Sequence, residues 1–530
     1  MLEKNPICWM NEKIKRIAAP VQWTFVMTFF VGILVHFYNM SNKFFNYFEM
    51  GNIFSKMPFF QGDVVALGRW FMPVATNLFT SFSTPVFNTL IVLFYMSLAS
   101  ALIVDLLKIR SRVYAVLFGL VFVTFPGLTC VFSFGVNCDE IILALLLGIL
   151  SAYAFYKWKY GMIWGALFLC LSVGAYQPSM AATIGVIYMM LFLKAFREKP
   201  DFKSFALSAV KAVVMMAAGF ILYYVVLQAV MAITGIQLSD YHGVDSMTSF
   251  TPKGIAKGLV YTYGYFLTYF FSTAYTFTIG RIVWNVIGAV AFVAILVRRM
   301  KTSGEKCSNI LLGLLFCFLP LGVNAAPFLM ADRVGAGVDR YMIFSMMFLW
   351  ALLLAMLDEC RSERVTFVSL RTSNLMQWAG LLAVLSSIVS GFIIDNQTYH
   401  RMEAMTETTG SLLNRIAGRM EEHPQWNKDI PVYFVNCRAL VNLNYELEIP
   451  EYEEIKNMPG TFLTSSYSEE AVVDYMEVYL HFPINEATQE QREKVEKNPV
   501  FEQMESYPAE SSVQVIDGVM VVRISDGEEY

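Results

Sequence analysis

The sequence predicts a mainly α-helical, polytopic membrane protein of about eleven transmembrane helices, followed by a small α/β domain. Three observations carry that reading. Of 530 residues, 56% are hydrophobic and only 15% charged, where a soluble chain carries about a quarter charged residues, so most of this chain is solvated by lipid. Apolar runs of spanning length recur between short polar connections up to about residue 394. The charge is also divided: 25 of the 43 acids but only 10 of the 39 bases fall in residues 401–530, so a basic membrane part precedes an acidic water-facing part. An acidic water-facing domain argues against nucleic-acid binding, which calls for a basic one.

Residues 1–19 are polar and basic (Lys4, Lys13, Lys15, Arg16) and lead into an apolar run with no small-residue cleavage site. This is the pattern of an uncleaved signal anchor with a cytoplasmic N-terminus. A hydrocarbon core about 30 Å thick needs about 20 apolar helical residues. Eleven runs qualify: 20–39, 84–105, 113–133, 140–157, 161–177, 180–194, 205–233, 279–297, 307–330, 340–357 and 374–394. Basic clusters follow every even-numbered run: Lys108, Arg110 and Arg112; Lys157 and Lys159; Lys194, Arg197 and Lys199; Arg298, Arg299 and Lys301; Arg361 and Arg364. That alternation is what the positive-inside rule requires of a chain that starts inside. Residues 258–278 are long enough to be a twelfth span, but their five Tyr and four Phe suit the headgroup level and a crossing would invert the later charge pattern. They are therefore laid on the outer surface, which puts residues 395–530 outside.

In that tail, Tyr399–Met420 has helical apolar spacing, Ile430–Val435 is β-rich, and Glu469–Leu480 is a candidate helix. Val513–Ile524 places Asp517-Gly518 between two β-rich runs, a hairpin signal. The eight cysteines show no CxxC spacing and no neighbouring His, so neither a zinc site nor a disulfide framework is indicated.

Ionisable groups are costly in hydrocarbon, so their depth is informative. Here they gather at the outer ends of the runs: Glu49, Asp63 and Arg69 in the long first outer loop (40–83), Asp139 and Glu140 at the head of the fourth run, and Arg281, Asp332, Arg333, Asp339 and Arg340 farther on. A connection of about 44 residues is functional or disordered as a rule, and its aromatic richness argues for a loop folded back on the membrane. Carboxylates in a first helical turn also stabilise the helix dipole, and the two Asp-Arg pairs at 332–340 can equally be local ion pairs. Arginine binds phosphate bidentately and is always charged, so Arg69, Arg281, Arg333 and Arg340 can hold a lipid phosphate. A neighbouring carboxylate can take the proton of an attacking hydroxyl. These are the residue types of glycosyl transfer from a lipid-linked anionic donor.

The order Asn46-Tyr47-Phe48-Glu49, Gly68-Arg69-Trp70-Phe71, Asp139, Gly174-Ala175-Tyr176-Gln177 and Asp339-Arg340-Tyr341 resembles the bacterial and phage O-antigen glucosyltransferases of the GtrII type. The ending, Met504-Glu505-Ser506-Tyr507-Pro508 followed by Ser511-Ser512-Val513 and the strand to Ile524, is similar too. The resemblance implies a GT-C-like transmembrane glycosyltransferase domain (20–394) in the bacterial cytoplasmic membrane, with 395–530 as an extracytoplasmic domain. It implies a hexose, glucose by the family's name, moved with inversion from polyprenyl phosphate to a surface polysaccharide or glycolipid on the outer face. It assigns the base to Glu49, with Asp139 and Asp63 as alternatives, and substrate binding to Arg69, Tyr176, Gln177, Arg281, Arg333, Asp339 and Arg340. No cofactor is expected, and the implied functional partners are a polyprenyl-phosphate sugar synthase and a small flippase. A polysaccharide polymerase or ligase is the main alternative, separated by the long acid-bearing first loop. A lipid-linked sugar transporter is less favoured, because neither internal repeats nor mid-membrane charges are seen.

Overall fold

The structure is a computed structural model that describes residues 5–42, 44, 62–79, 82–239, 251–273, 279–330, 340–361, 370–437 and 469–525. The helices that matter below are α1 (Ala19–Val35), α2 (Gly62–Ala66), α3 (Met72–Phe79), α4 (Pro85–Leu107), α5 (Arg112–Val123), α6 (Cys138–Lys157), α7 (Gly161–Ala175), α8 (Met180–Glu198), α9 (Phe202–Thr234), α10 (Pro252–Phe271), α11 (Ile279–Ser303), α12 (Lys306–Cys317), α13 (Phe348–Arg361) and α14 (Leu370–Glu422). Each of the eleven apolar runs is built around helix. Six helical segments are long and apolar enough to cross a membrane: Pro85–Leu107, Gly135–Lys157, Gln177–Glu198, Phe202–Thr234, Ile279–Thr302 and Ser373–Glu422. Helices α1, α5, α7 and α12 are apolar but shorter.

Two of the runs are broken, and the sequence gives the reason. The third stops at Thr124 and resumes as Gly127–Phe132, with Pro126 in the gap. The ninth breaks into α12, Leu319–Val323 and Ala326–Met330, with Pro320 in the first turn after the first break. Proline lacks the N–H that would continue the ladder and clashes with the preceding turn.

Helices α4, α6 and α8 form the centre: 67%, 72% and 72% of their spanning windows are buried, against 22% for α9, whose Ile221, Val225 and Ile233 face outward. Without water in hydrocarbon, an apolar outer face is the lipid-facing solution. The bundle has two chemically distinct ends. One carries charged pairs: Asp105 with Lys157 at 2.8 Å, Arg197 with Glu359 at 2.8 Å, and the Asp358 carboxylate accepting from the Arg110 and Ser111 amides at 2.6 and 3.2 Å. The other carries the start of α6, the end of α7 and the loop residues 62–79. Helix α10 packs toward that second end: Asn285 Nδ2 donates to Phe270 O at 2.8 Å, and Tyr269 meets Phe125 with ring centroids 6.2 Å apart. It is not among the six helices apolar enough to span.

The last apolar run does not stop at 394. Helix α14 runs unbroken to Glu422, 53 residues in all, and its final turns (Leu412, Leu413, Ile416, Met420) enter a second, separate apolar core with the tail. There a four-stranded sheet has the order β2-β1-β4-β3, with β1 Pro431–Val435, β2 Asn485–Glu486, β3 Val513–Ile516 and β4 Val519–Arg523. Strand β1 is parallel to both neighbours, and β3 and β4 form the expected antiparallel hairpin. Its turn has φ of 51° at Asp517 and 81° at Gly518, the double left-handed conformation that suits a two-residue hairpin. The expected helix forms as Glu469–Tyr479 and shares the apolar core of the sheet, held where Glu469 meets Arg492 at 2.7 Å and accepts from the Phe434 amide at 3.3 Å.

Candidate active site

The second half of the long first loop folds into the bundle. Helix α2 ends in a turn at Gly68, whose φ of 74° favours glycine over any residue with a Cβ. There Gly68 N donates to Val65 O at 2.8 Å and Arg69 N to Val64 O at 3.2 Å. The freed Gly68 carbonyl accepts from the buried Tyr223 hydroxyl of α9 at 3.1 Å. This turn reverses the chain and aims Arg69 at the end of α7.

There the two Gly-containing motifs, about a hundred residues apart in sequence, meet residue against residue. Phe71 N donates to Gly174 O at 2.9 Å. The Trp70 indole lies over Gly174 so closely that a Cβ at 174 would sit 2.7 Å from its Cε2 atom, so the glycine is required by the neighbour. Next along, the Arg69 guanidinium lies 5.0 Å from the centroid of the Tyr176 ring, a cation–π contact. Gln177 closes the set: its Oε1 accepts from Arg69 Nε at 3.4 Å while its Nε2 donates to Leu67 O at 2.6 Å. Gly68-Arg69-Trp70-Phe71 and Gly174-Ala175-Tyr176-Gln177 are thus two halves of one platform that fixes a half-buried, permanently charged guanidinium. Tyr176 is in turn flanked by Tyr341, with centroids 6.1 Å apart, and Tyr341 meets Phe134 edge-on at 5.1 Å.

The carboxylates are less uniformly placed. Asp139 and Glu140 are both buried at the first turn of α6, and Glu140 accepts a hydrogen bond from Thr76 of α3, which ties the loop to α6. Asp63 lies exposed in the first turn of α2 and forms no ion pair with Arg69. Glu49, Arg333 and Asp339 lie outside the described residues; Arg340 opens a short 3-10 turn, Arg340–Met342, and its side chain is outside the description. The chain entering the loop is nonetheless pinned: Tyr38, Phe44 and Tyr399 form a parallel stack, with centroids 5.9 to 6.3 Å apart and planes within 11°. Glu49 follows five residues later. Among the described residues no group of three or more His, Cys, Asp or Glu is gathered for a metal.

The family model for glucosyl transferase GtrII matches residues 37–355, more than half of the chain. The chain belongs to the GtrII glucosyl transferase family. No curated protein and no solved structure matches it. The matched span holds the whole platform, both halves of the first loop, Asp139, Arg281 and the Asp339-Arg340-Tyr341 segment; the tail lies beyond it.

Arg281, another candidate of the sequence, is not part of the platform. In this glucosyltransferase it is buried near the start of α11 within electrostatic reach of Asp395 on α14, whose carboxylate accepts from Thr129 at 2.6 Å. One turn on, Tyr399 is bonded to His36 Nδ1 at 2.7 Å, and His36 Nε2 lies 2.9 Å from Val123 O. A carbonyl only accepts, so Nε2 carries the proton and Nδ1 accepts from the tyrosine. One turn further, Glu403 accepts from Tyr38. Sequence reasoning missed Thr76, Tyr223 and this Asp395-Tyr399-Glu403 stripe. The stripe had a legible signal, since three polar residues at i, i+4 and i+8 share one helical face; Thr76 and Tyr223 had none.

Proposed function

We propose that this glucosyltransferase moves a hexose, glucose by its family, from polyprenyl phosphate to a surface polysaccharide or glycolipid in a single inverting displacement. The observation that carries the proposal is the platform that locks Arg69 between Tyr176 and Gln177 at the mouth of the bundle. A guanidinium fixed before the substrate arrives stabilises charge that develops on a leaving phosphate without reorganising. In the step itself, the acceptor oxygen bonds to the anomeric carbon as the bond to the phosphate oxygen breaks. The electron pair leaves with polyprenyl phosphate and the hydroxyl proton passes to a carboxylate. Glu49 is the proposed base, because it follows the stacked segment at Phe44 in a loop whose far end carries Arg69. Asp139 is the reserve, and Asp63, exposed on α2, ranks after it.

The proposed topology is that of eleven spans in the bacterial cytoplasmic membrane, with the N-terminus inside and the Arg69 end and the tail outside. Charge distribution supports it: the end opposite Arg69 holds Lys157, Lys159, Arg197 and Arg299. The acidic tail is proposed to position the polymeric acceptor. A synthase must supply the lipid-linked hexose, and a small flippase must bring it to the outer face.

The test is reconstitution of the full chain in proteoliposomes with radiolabelled polyprenyl-phosphate glucose and a polysaccharide acceptor. Label should pass to the acceptor, and Arg69→Ala should lower kcat by about 10²–10³-fold, as loss of an oxyanion donor does, while the protein keeps its melting behaviour. Use of a nucleotide-sugar in place of the lipid-linked donor would overturn the proposal.

A further inference from the structure

At the end of the bundle opposite Arg69, the connection from α6 to α7 and one flank of α9 border an open cleft of about 510 Å³ that the transfer chemistry leaves unused. Its walls include Phe155, Tyr156, Trp158 and Tyr160, and two of its lining residues are Lys159 and Lys211. Three neighbouring cations are engaged: Lys157 pairs with Asp105 at 2.8 Å, Arg197 with Glu359 at 2.8 Å, and Lys194 donates to Ser208 Oγ at 2.6 Å. Lys159 and Lys211 are exposed and take part in no ion pair among the described residues. The Lys159 ammonium lies 5.4 Å from the Tyr160 ring centroid, an aromatic face that carries no compensating charge. Met162 and Ile163 of α7, which also line the cleft, are 40% and 69% exposed.

An unneutralised pair of lysines over an aromatic-walled cleft, beside an exposed apolar helix face, matches one kind of molecule. We propose that this cleft binds one anionic phospholipid of the adjoining leaflet. Its headgroup phosphate sits between Lys159 and Lys211, and its acyl chains run along Met162 and Ile163. The volume falls within the range of small-molecule sites, and the charge complementarity is that of basic pockets between membrane helices. Tryptophan and tyrosine at the same level, Trp158 meeting Trp164 at 6.0 Å, mark it as the interfacial depth where a headgroup lies. The proposal concerns a lipid that is not consumed, and it stands apart from the donor site at the other end.

The experiment uses the full chain in nanodiscs of equal phosphatidylglycerol and phosphatidylcholine, transferred to mild detergent, with retained lipid read by native mass spectrometry. Wild type should retain phosphatidylglycerol over phosphatidylcholine by about thirtyfold, the scale of two surface lysines near an anionic lipid. Lys159→Gln combined with Lys211→Gln should return the retained lipid to the bulk ratio. Lys159→Arg with Lys211→Arg, and the charge-matched control Lys253→Gln with Lys257→Gln, should keep the preference. Retention at the bulk ratio by wild type, or an unchanged preference in the double glutamine variant, would overturn the proposal. Displacement of the lipid by excess inorganic phosphate would overturn it too, by showing a free-anion site. Because the readout is lipid retention, the result is independent of whether the protein transfers a hexose.

Discussion

Arg69 owes its position to neighbours that each do something different. Gly68 supplies the left-handed turn, Gly174 leaves room for Trp70, Tyr176 offers a π face, and Gln177 joins the guanidinium to the Leu67 carbonyl. Lysine can reach the same point with its charge but lacks the planar fork that engages Gln177 and a phosphate together. Arg69→Lys is therefore predicted to lose most of the turnover that Arg69→Ala loses, with KM for the lipid-linked donor and kcat both read in proteoliposomes. Gly174→Ala should separate positioning from charge. Its Cβ pushes on Trp70, a rigid ring, so activity should fall at least about tenfold while Arg69 is retained; overpacking of this kind commonly costs about 1–3 kcal/mol. Wild-type activity in Gly174→Ala would mean that the two motifs need not touch. At this scale residue type marked Arg69 as a phosphate-binding candidate, whereas Gly174-Ala175-Tyr176-Gln177 stood out only through the family resemblance. Thr76 is an ordinary loop threonine until it meets Glu140, because a contact between distant segments leaves no mark in local composition.

Among the elements, α3 ties the loop to α6, and α14 fastens the loop's entry. The Thr76 hydroxyl serves the buried Glu140 carboxylate. Thr76→Val keeps the shape and removes the donor, which should destabilise the folded-back loop by about 1–3 kcal/mol. Faster hydrogen exchange over residues 62–79 with little change in α4 would show this, and unchanged exchange would contradict it. Helix α14 fastens the opposite end of the loop through Asp395, Tyr399 and Glu403 to Thr129, His36 and Tyr38. Tyr399→Phe keeps the aromatic stack with Phe44 but strands the His36 Nδ1 acceptor, so a loss of about 1–3 kcal/mol in thermal stability is expected; Tyr399→Ala should in addition lower turnover by freeing the segment that leads to Glu49. Element types were legible from hydropathic period and from the Asp517-Gly518 turn, whereas the breaks at Pro126 and Pro320 fall inside runs that read as single spans. The continuity of α14 was not legible, because the run at 374–394 gives way to an amphipathic pattern, and composition marks that change while the backbone carries on.

The whole molecule is polarised, with the guanidinium platform and buried carboxylates at one end and a lysine-rich rim at the other. That polarity makes the proposed topology testable with an impermeant thiol reagent. Cys8 is exposed near the N-terminus. Cys437, the tail's one cysteine, is buried, and burial pushes its thiol up to about 12, so it stays silent. In intact cells Cys8 should be protected, and a cysteine introduced by Lys428→Cys should be labelled; the reverse pattern would place the Arg69 end inside. The membrane character and the acidic tail were plain in charge and hydropathy, yet the convergence of two distant motifs needed the fold. The most direct measurement of the central claim is lipid and polymer analysis of cells carrying the intact protein, a deletion, Arg69→Ala or Glu49→Gln. Polyprenyl-phosphate hexose would be quantified by mass spectrometry alongside the sugars of the surface polymer. The account predicts that the deletion and Arg69→Ala both accumulate the charged carrier and strip one hexose from the polymer, with Glu49→Gln doing the same if it is the base. An unchanged carrier pool and unchanged polymer sugars in the deletion and Arg69→Ala strains would contradict it.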